Sequence, residues 1–301
     1  MDTGAAMVET KRIVVSLQLQ AVASYAAKTG VSVEQAFDDL SKAAECRGMT
    51  VVDGTIGVLL SAVETARVFA ERRSEGLLTC TCPGWVCFVE KLHPGLVDRL
   101  SRKRNSQQTM GGWVKTVWAA SAGVTPEQVY HVSVVSCDDR KLEASRTEFG
   151  WRVGTETIVP VGCVVTIREF VEFIGRNESE METTHRPFLL SNTFGTDLDS
   201  RTLYRLEGSS AGGYPELAVA LLHGWMLDKP MTIIVSRQSK DMTEYKLVGG
   251  VCNESTVVAN NPVLAVLHSS INHEQPAVRE LSVYGFANIQ RFVRAESKHD
   301  L

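Results

Sequence analysis

Cys80-Thr81-Cys82-Pro83-Gly84-Trp85-Val86-Cys87-Phe88-Val89-Glu90-Lys91 places three of the chain's seven cysteines within eight residues. Such crowding has three explanations: a disulfide, a metal or cluster site, or small apolar packing at a strand-to-helix turn. The odd cysteine total, the uneven spacing and a length of 301 residues, enough to bury a large core, speak against a disulfide framework. They favour a reducing compartment, cytosolic or nuclear, where cysteines act as core residues or cluster ligands.

On both sides of this turn, short apolar runs alternate with helical patterns. Arg12-Ile13-Val14-Val15-Ser16, Met49-Thr50-Val51-Val52 and Val132-Ser133-Val134-Val135 read as buried strands, and Leu77-Leu78-Thr79 as a strand entering the cysteine turn. Ser32-Val33-Glu34-Gln35 is a capping-box signature opening a helix to about Cys46. Further helices are expected over Ala62–Arg72 and about Gln107–Ala120, with a short turn capped at Thr125-Pro126-Glu127. This alternation predicts an α/β fold with a parallel sheet flanked by helices, whose ligands gather at the carboxyl ends of strands. Cys80, Cys82 and Cys137 all fall at expected strand ends.

The second half repeats the rhythm. A strand over Val161–Thr166 leads into a helix to Ile174, and Gly212-Gly213 precedes an apolar helix over Tyr214–Met226. Met231–Val235 reads as a strand and Asn288–Ala295 as a last helix, while residues 175–210 are polar and turn-rich, a surface excursion. Residues 1–11 read as a disordered tail carrying neither a secretory nor a transit signal.

Composition narrows the function classes. A net charge of −4 gives no electrostatic case for nucleic acid or an anionic membrane surface. No apolar run approaches the roughly 20 residues of a membrane helix. There is no G-x-G-x-x-G after a strand, no Walker A loop and no H-E-x-x-H, and the seven histidines are scattered, reading as surface or capping residues. Cys82 and Cys137 are candidate cluster ligands, because a turn at a strand end presents N–H groups that stabilise thiolate charge. The competing reading makes both small buried hydrophobes. Cys46, Cys163 and Cys252 are assigned to the core, and Cys87 to helix packing.

Thr79 through Lys91 resembles the first signature loop of the iron-only hydrogenase family, T-S-C-C-P-G-W, and Val135 through Arg146 resembles its second, M-P-C-x-x-K-K-x-E-A. Asn105–Gly112 is similar to the S-P-Q-Q-x-x-G segment, and Val161–Glu169 to the V-D-x-V-x-T-x-R-E strand and helix. Ser210–Glu216 matches a glycine-rich loop and Tyr284–Gln290 a late helix, so the resemblance runs in order over roughly Arg12–Ala295. It implies two doubly wound lobes, residues 12–136 and 137–301, with a cluster cleft between them. It implies a 4Fe-4S cofactor held by Cys82 and Cys137. Arg140, Gln107, Gly212 and Gly213 are its further candidate cofactor contacts, Arg140 standing where hydrogenases carry a lysine. Two bland alternatives stay open: Arg140 as a solvated basic residue and Gln107 as a helix start. Glu143 is expected to hold the cysteine loop by hydrogen bonds.

Trp85–Lys91, Tyr130-His131-Val132 and Lys141–Arg146 look like the eukaryotic, hydrogenase-like branch, which includes a cytosolic iron–sulfur assembly factor and a nuclear prelamin A recognition factor. Hydrogenases carry a proton-relaying cysteine just before the cluster ligand. Thr81 stands there, and a hydroxyl has too high a pKa to relay protons as a thiol does. Hydrogen turnover is therefore not expected. The family's third, paired-cysteine loop and its N-terminal ferredoxin-like cysteines have no counterpart, and His299-Asp300-Leu301 replaces its terminal aromatic tail. The sequence thus reads as either truncated or a diverged paralogue.

The resulting expectation is a non-catalytic, cluster-binding component of cytosolic iron–sulfur protein assembly. Its partners would be assembly scaffold and targeting proteins. Two alternatives remain: a cluster-free interaction module of the prelamin-recognition type, and a degenerate hydrogenase-like paralogue.

Overall fold

The computed structural model describes residues 11–71, 78–175, 214–225, 231–239, 242–249 and 278–283. In chain order the first elements are β1 (Arg12–Leu17), α1 (Leu19–Thr29), α2 (Val33–Glu45), β2 (Thr50–Asp53), α3 (Thr55–Glu71), α4 (Pro83–Leu92) and α5 (Ser106–Trp113). A π-helical turn over Val114–Trp118 joins α5 to α6 (Ala119–Ser121). Then come β3 (Val129–Val135), α7 (Asp139–Ala144), the short β4 (Trp151–Val153) and β5 (Glu156–Ile158), β6 (Cys163–Thr166) and α8 (Ile167–Gly175). The last are α9 (Tyr214–Trp225), β7 (Met231–Ser239), β8 (Met242–Gly249) and β9 (Val278–Val283).

The chain divides into two compact units. Met1–Leu60, Thr81–Gly84 and Arg104–Tyr204 make the first, and Ser61–Cys80, Trp85–Lys103 and Arg205–Leu301 the second.

In the first unit β1 lies at the centre of a parallel sheet of order β2-β1-β3-β6. Its Val14 and Val15 point to opposite faces and both are fully buried, as a strand covered on two sides requires. Val15, Leu17, Val51 and Val134 pack with Ala21 and Val22 of α1, Phe37 and Leu40 of α2, and Phe170 of α8. Val14, Val52 and Val129 form the other layer with Ile56, Met110, Trp113 and Trp118. The pairing of β3 with β6 joins residues on both sides of position 136.

Local chemistry sets the element ends. Ser32 Oγ accepts from the Gln35 N–H at 3.1 Å, so the expected cap on α2 is present. The reciprocal half of the box is replaced: the Gln35 amide donates forward to Asp39 at 2.7 Å. Helix α1 adds to the elements that the sequence predicts. Its start at Gln18 has no side-chain cap, and it ends on Gly30 at φ +76°, a left-handed turn that glycine adopts without a Cβ clash. Helix α3 begins at Thr55 rather than Ala62, because Asp53 Oδ1 accepts from the Thr55 N–H at 2.9 Å and starts the turn early. A Cβ on Gly57 would lie 2.3 Å from the Ser106 carbonyl, so this glycine lets the first turn of α3 cross α5 closely.

Of the expected strand Leu77–Thr79, Leu77 lies outside the described residues, and Leu78 and Thr79 belong to no sheet among them. Leu78 makes a single parallel bridge to Leu100, donating to Arg99 O and accepting from Ser101 N–H, each at 2.8 Å. Cys80 and Cys82 therefore follow a bridge and not a sheet strand. In the second unit the described strands β7-β8-β9 run antiparallel, where a parallel sheet was expected. Residues 240–241 alone separate β7 from β8, and parallel neighbours need a crossover of about a dozen residues or more. Ala66, Val219, Leu222 and Tyr245 form one core of this unit, and Leu78, Trp85, Val89 and Leu96 another. Residues 176–213, Cys252 and the expected helix over Asn288–Ala295 lie outside the described residues. No described helix is long and apolar enough to cross a membrane.

Candidate cluster site

Strand β3 ends at Val135 beside β1, where the sheet order reverses from β2 on one side to β6 on the other. Ligands of open α/β sheets gather at the carboxyl ends of strands at such a switch point. Ser136 and Cys137 follow directly, and both are exposed. Cys82 is also exposed and immediately precedes Pro83, the first residue of α4. Pro at that position costs no hydrogen bond and presets the helical φ, so the chain turns sharply just after the thiol.

The two cysteine loops meet within the first unit. Gly84 lies two residues after Cys82 and Asp139 two residues after Cys137. A Cβ built on Gly84 would sit 2.4 Å from Asp139 Oδ2. The carboxylate thus occupies space that any side chain at position 84 would fill.

Beneath the Cys137 loop lies a buried polar layer. Asn105 Oδ1 caps α5 by accepting from the N–H groups of Gln107 at 2.9 Å and Gln108 at 3.4 Å. Gln107 is fully buried, and its Nε2 donates to the Arg140 carbonyl at 3.0 Å and to Glu143 Oε2 at 3.5 Å. The Gln108 amide donates to the Glu143 carbonyl at 3.5 Å. Glu143 is 4% exposed and lies 3.6 Å from the guanidinium of Arg140, itself 14% exposed. On the outer side, Lys141 Nζ bridges Asp138 at 2.9 Å and Glu169 at 2.8 Å, tying α7 to α8. Glu169 is pulled down to about 2, first by Lys141 and then by the N–H and hydroxyl of Thr166.

The sheet beneath this layer carries a polar column. His131 is fully buried, contrary to its expected place at the surface or in a cap. Its Nδ1 lies 3.1 Å from the Pro160 carbonyl, which only accepts, so Nδ1 carries the proton. Nε2 then accepts from the Ser16 hydroxyl at 2.9 Å. Burial lowers the ring's pKa to about 4, so it is neutral at physiological pH. Ser133, one inward position along β3, donates to Gln107 Oε1 at 3.5 Å. The period-two positions Val129, His131, Ser133 and Val135 share one face of β3, and all four are buried. That alternation was the available signal that His131 is a core residue.

The remaining candidates separate from this group. Cys80 packs with Leu78, Trp85, Val89 and Leu96 in the second unit. Cys46 caps the end of α2, with its N–H donating to Lys42 O at 2.9 Å. Cys163 opens β6 opposite Val132, and Cys87 lies half-buried within α4. Gly212 and Gly213 lie outside the described residues. All six described cysteines are thiols.

As donors, Cys82 and Cys137 fit iron: both are soft, exposed thiols on adjoining loops. They supply two of the four thiolates a 4Fe-4S cubane usually takes. Among the described residues no group of three or more His, Cys, Asp or Glu side chains is placed to hold a metal ion.

Residues 11–300 match the family described as the C-terminal domain of the iron only hydrogenase large subunit. The cytosolic Fe-S cluster assembly factor NAR1 of Yarrowia lipolytica is 32% identical over 298 residues, which cover 95% of this chain and 56% of that protein. The cytosolic Fe-S cluster assembly factor narfl of Danio rerio is 32% identical over 219 residues, covering 68% of this chain and 52% of its own. The chain thus spans about half the length of these relatives. Among solved structures, an apo FeFe-hydrogenase from Chlamydomonas reinhardtii superposes with a TM-score of 0.65 over 97% of this chain and 75% of the other. At 18% identity that likeness is one of fold.

Proposed function

The chain belongs to the family of the C-terminal domain of the iron-only hydrogenase large subunit, and from that premise we propose that it is a cluster-binding component of cytosolic iron–sulfur protein assembly. The observation that carries this reading is the meeting of two exposed cysteine loops at the Gly84–Asp139 contact. The names of the relatives, cytosolic Fe-S cluster assembly factors, supply the process and the compartment. Scaffold and targeting proteins of that process are the partners, and the chain is an adaptor between them.

In this reading Cys82 and Cys137 are two thiolate ligands of a 4Fe-4S cluster. A bound cluster supplies iron and sulfide that can be passed on or exchange an electron. The chain's own residues hold and orient. Asp139 and Gly84 keep the two loops adjoining, while Arg140 is kept near Glu143, 3.6 Å away, with its backbone carbonyl fixed by Gln107. Thr81, beside Cys82, offers a hydroxyl whose pKa is too high to relay protons at neutral pH, so the role is non-catalytic.

A second reading is a cluster-free protein-interaction module on the same fold. It takes Cys82 and Cys137 as too small a donor set, two of the four thiolates that a cubane usually takes. Anaerobic purification with iron and sulfide analysis separates the two. Cluster binding predicts about four irons per chain, falling at least severalfold in Cys82→Ala and Cys137→Ala. Less than about one iron per chain, unchanged by either substitution, would sink it.

A further inference from the structure

Gln107 is fully buried, and its amide meets both elements that flank Cys137 in the chain, β3 and α7. Nε2 donates to the Arg140 carbonyl at 3.0 Å and to Glu143 Oε2 at 3.5 Å, both in α7, just after the cysteine. Oε1 accepts from Ser133 at 3.5 Å, in β3, just before it. The Asn105 cap fixes the Gln107 backbone at the start of α5. Only a primary amide offers two donors and an acceptor without charge. A carboxylate here would face Glu143, and an apolar side chain would leave a buried carbonyl and a buried carboxylate short of a donor.

We propose that Gln107 is the positioning residue of the Cys137 loop, setting that thiol against Cys82 so that the two act as one bidentate pair. The proposal rests on the reading of these cysteines as a shared binding site. It concerns the thiols themselves, so it is measurable with no cluster present.

The test uses the full chain, stripped of iron by a chelator and equilibrated with glutathione redox buffers. Glutathione disulfide oxidises the pair: the Cys82–Cys137 S–S bond forms, the glutathione S–S bond breaks, and two electrons and two protons pass to two glutathione thiols. Peptide mass spectrometry locates the bond and gives its equilibrium constant, which reports how well the thiols are set against each other. Gln107→Met keeps side-chain length and bulk but loses both donors, and is expected to lower that constant about tenfold. Ser133→Ala, which removes the hydroxyl that donates to Gln107 Oε1, takes the place of Gln107→Met if that variant does not fold. In the iron-loaded chain the same substitution is expected to shift the g-values of the reduced cluster.

A wild-type chain in which Cys82 and Cys137 never pair would overturn the proposal. So would a constant that stays within twofold of wild type in both variants. If the wild type binds no iron but its constant falls in Gln107→Met, positioning stands and the cluster reading fails. If iron binds and neither the constant nor the spectrum moves, the cluster reading stands and positioning fails.

Discussion

His131 and Ser16 share a hydrogen bond across the parallel pairing of β1 and β3, with the ring Nε2 2.9 Å from the serine hydroxyl. The bond uses the unprotonated nitrogen of a fully buried ring. Protonation therefore removes the acceptor and adds a buried charge.

Stability should depend on pH through this ring. Its folded pKa, about 4, lies below the ordinary 6.5, so the unfolded chain takes up the proton first. The stabilisation is complete above pH 6.5 and is lost as pH falls towards 4. The shift corresponds to roughly 3 kcal/mol at most. Denaturant midpoints measured across this window should fall more steeply for wild type than for His131→Gln. Parallel slopes would remove His131 from the account.

Lower on the pH scale, Glu169 should titrate with a different signature. Lys141 and Thr166 hold its carboxyl down at about 2, so whatever stability it contributes is present above its ordinary 4.5 and lost as pH falls towards 2. In Lys141→Met the pKa should move back up towards the ordinary value, read by NMR titration of the side-chain carboxyl. Both groups are well exposed, so the fold itself should hardly notice.

Gly57→Ala should be the more damaging of two glycine substitutions. Its Cβ would meet the Ser106 carbonyl at 2.3 Å, and backbone cannot swing aside. A loss of about 2–3 kcal/mol in unfolding free energy is expected. A loss below that of Gly84→Ala would reverse the ranking.

Gly84→Ala should cost about 1 kcal/mol, because the atom in the way is the end of the Asp139 side chain. Asp139→Ala should restore most of that loss in the double variant, a coupling that a double-mutant cycle reads directly. Additive losses would mean that the two loops are held elsewhere.

Much of the first unit was legible in the sequence. Runs such as Ile13-Val14-Val15 and Val132-Ser133-Val134-Val135 are too apolar and β-branched for one-sided strands, which fixes a parallel, doubly covered sheet. The cysteine motifs were legible as motifs. Their meeting was not, because it depends on the absence of a side chain at Gly84 and on a carboxylate far along the chain. Helix α1 has no capping signal in the sequence, because Gln18 provides no capping oxygen to its first turn. Leu77-Leu78-Thr79 has the pattern of a strand, but Leu78 makes only one bridge, to Leu100. Strand β8 carries its signal in alternation, Thr243, Tyr245 and Leu247 against Glu244 and Lys246, without an apolar run.

The carboxylate resting on Gly84 also makes a claim about descent. Two positions that compete for one small volume cannot drift independently along a lineage. A relative with a side chain at the place of Gly84 should carry a smaller residue, or a displaced loop, at the place of Asp139. Inheritance would then record the closeness of the two cysteine loops even in lineages that had lost the thiols themselves.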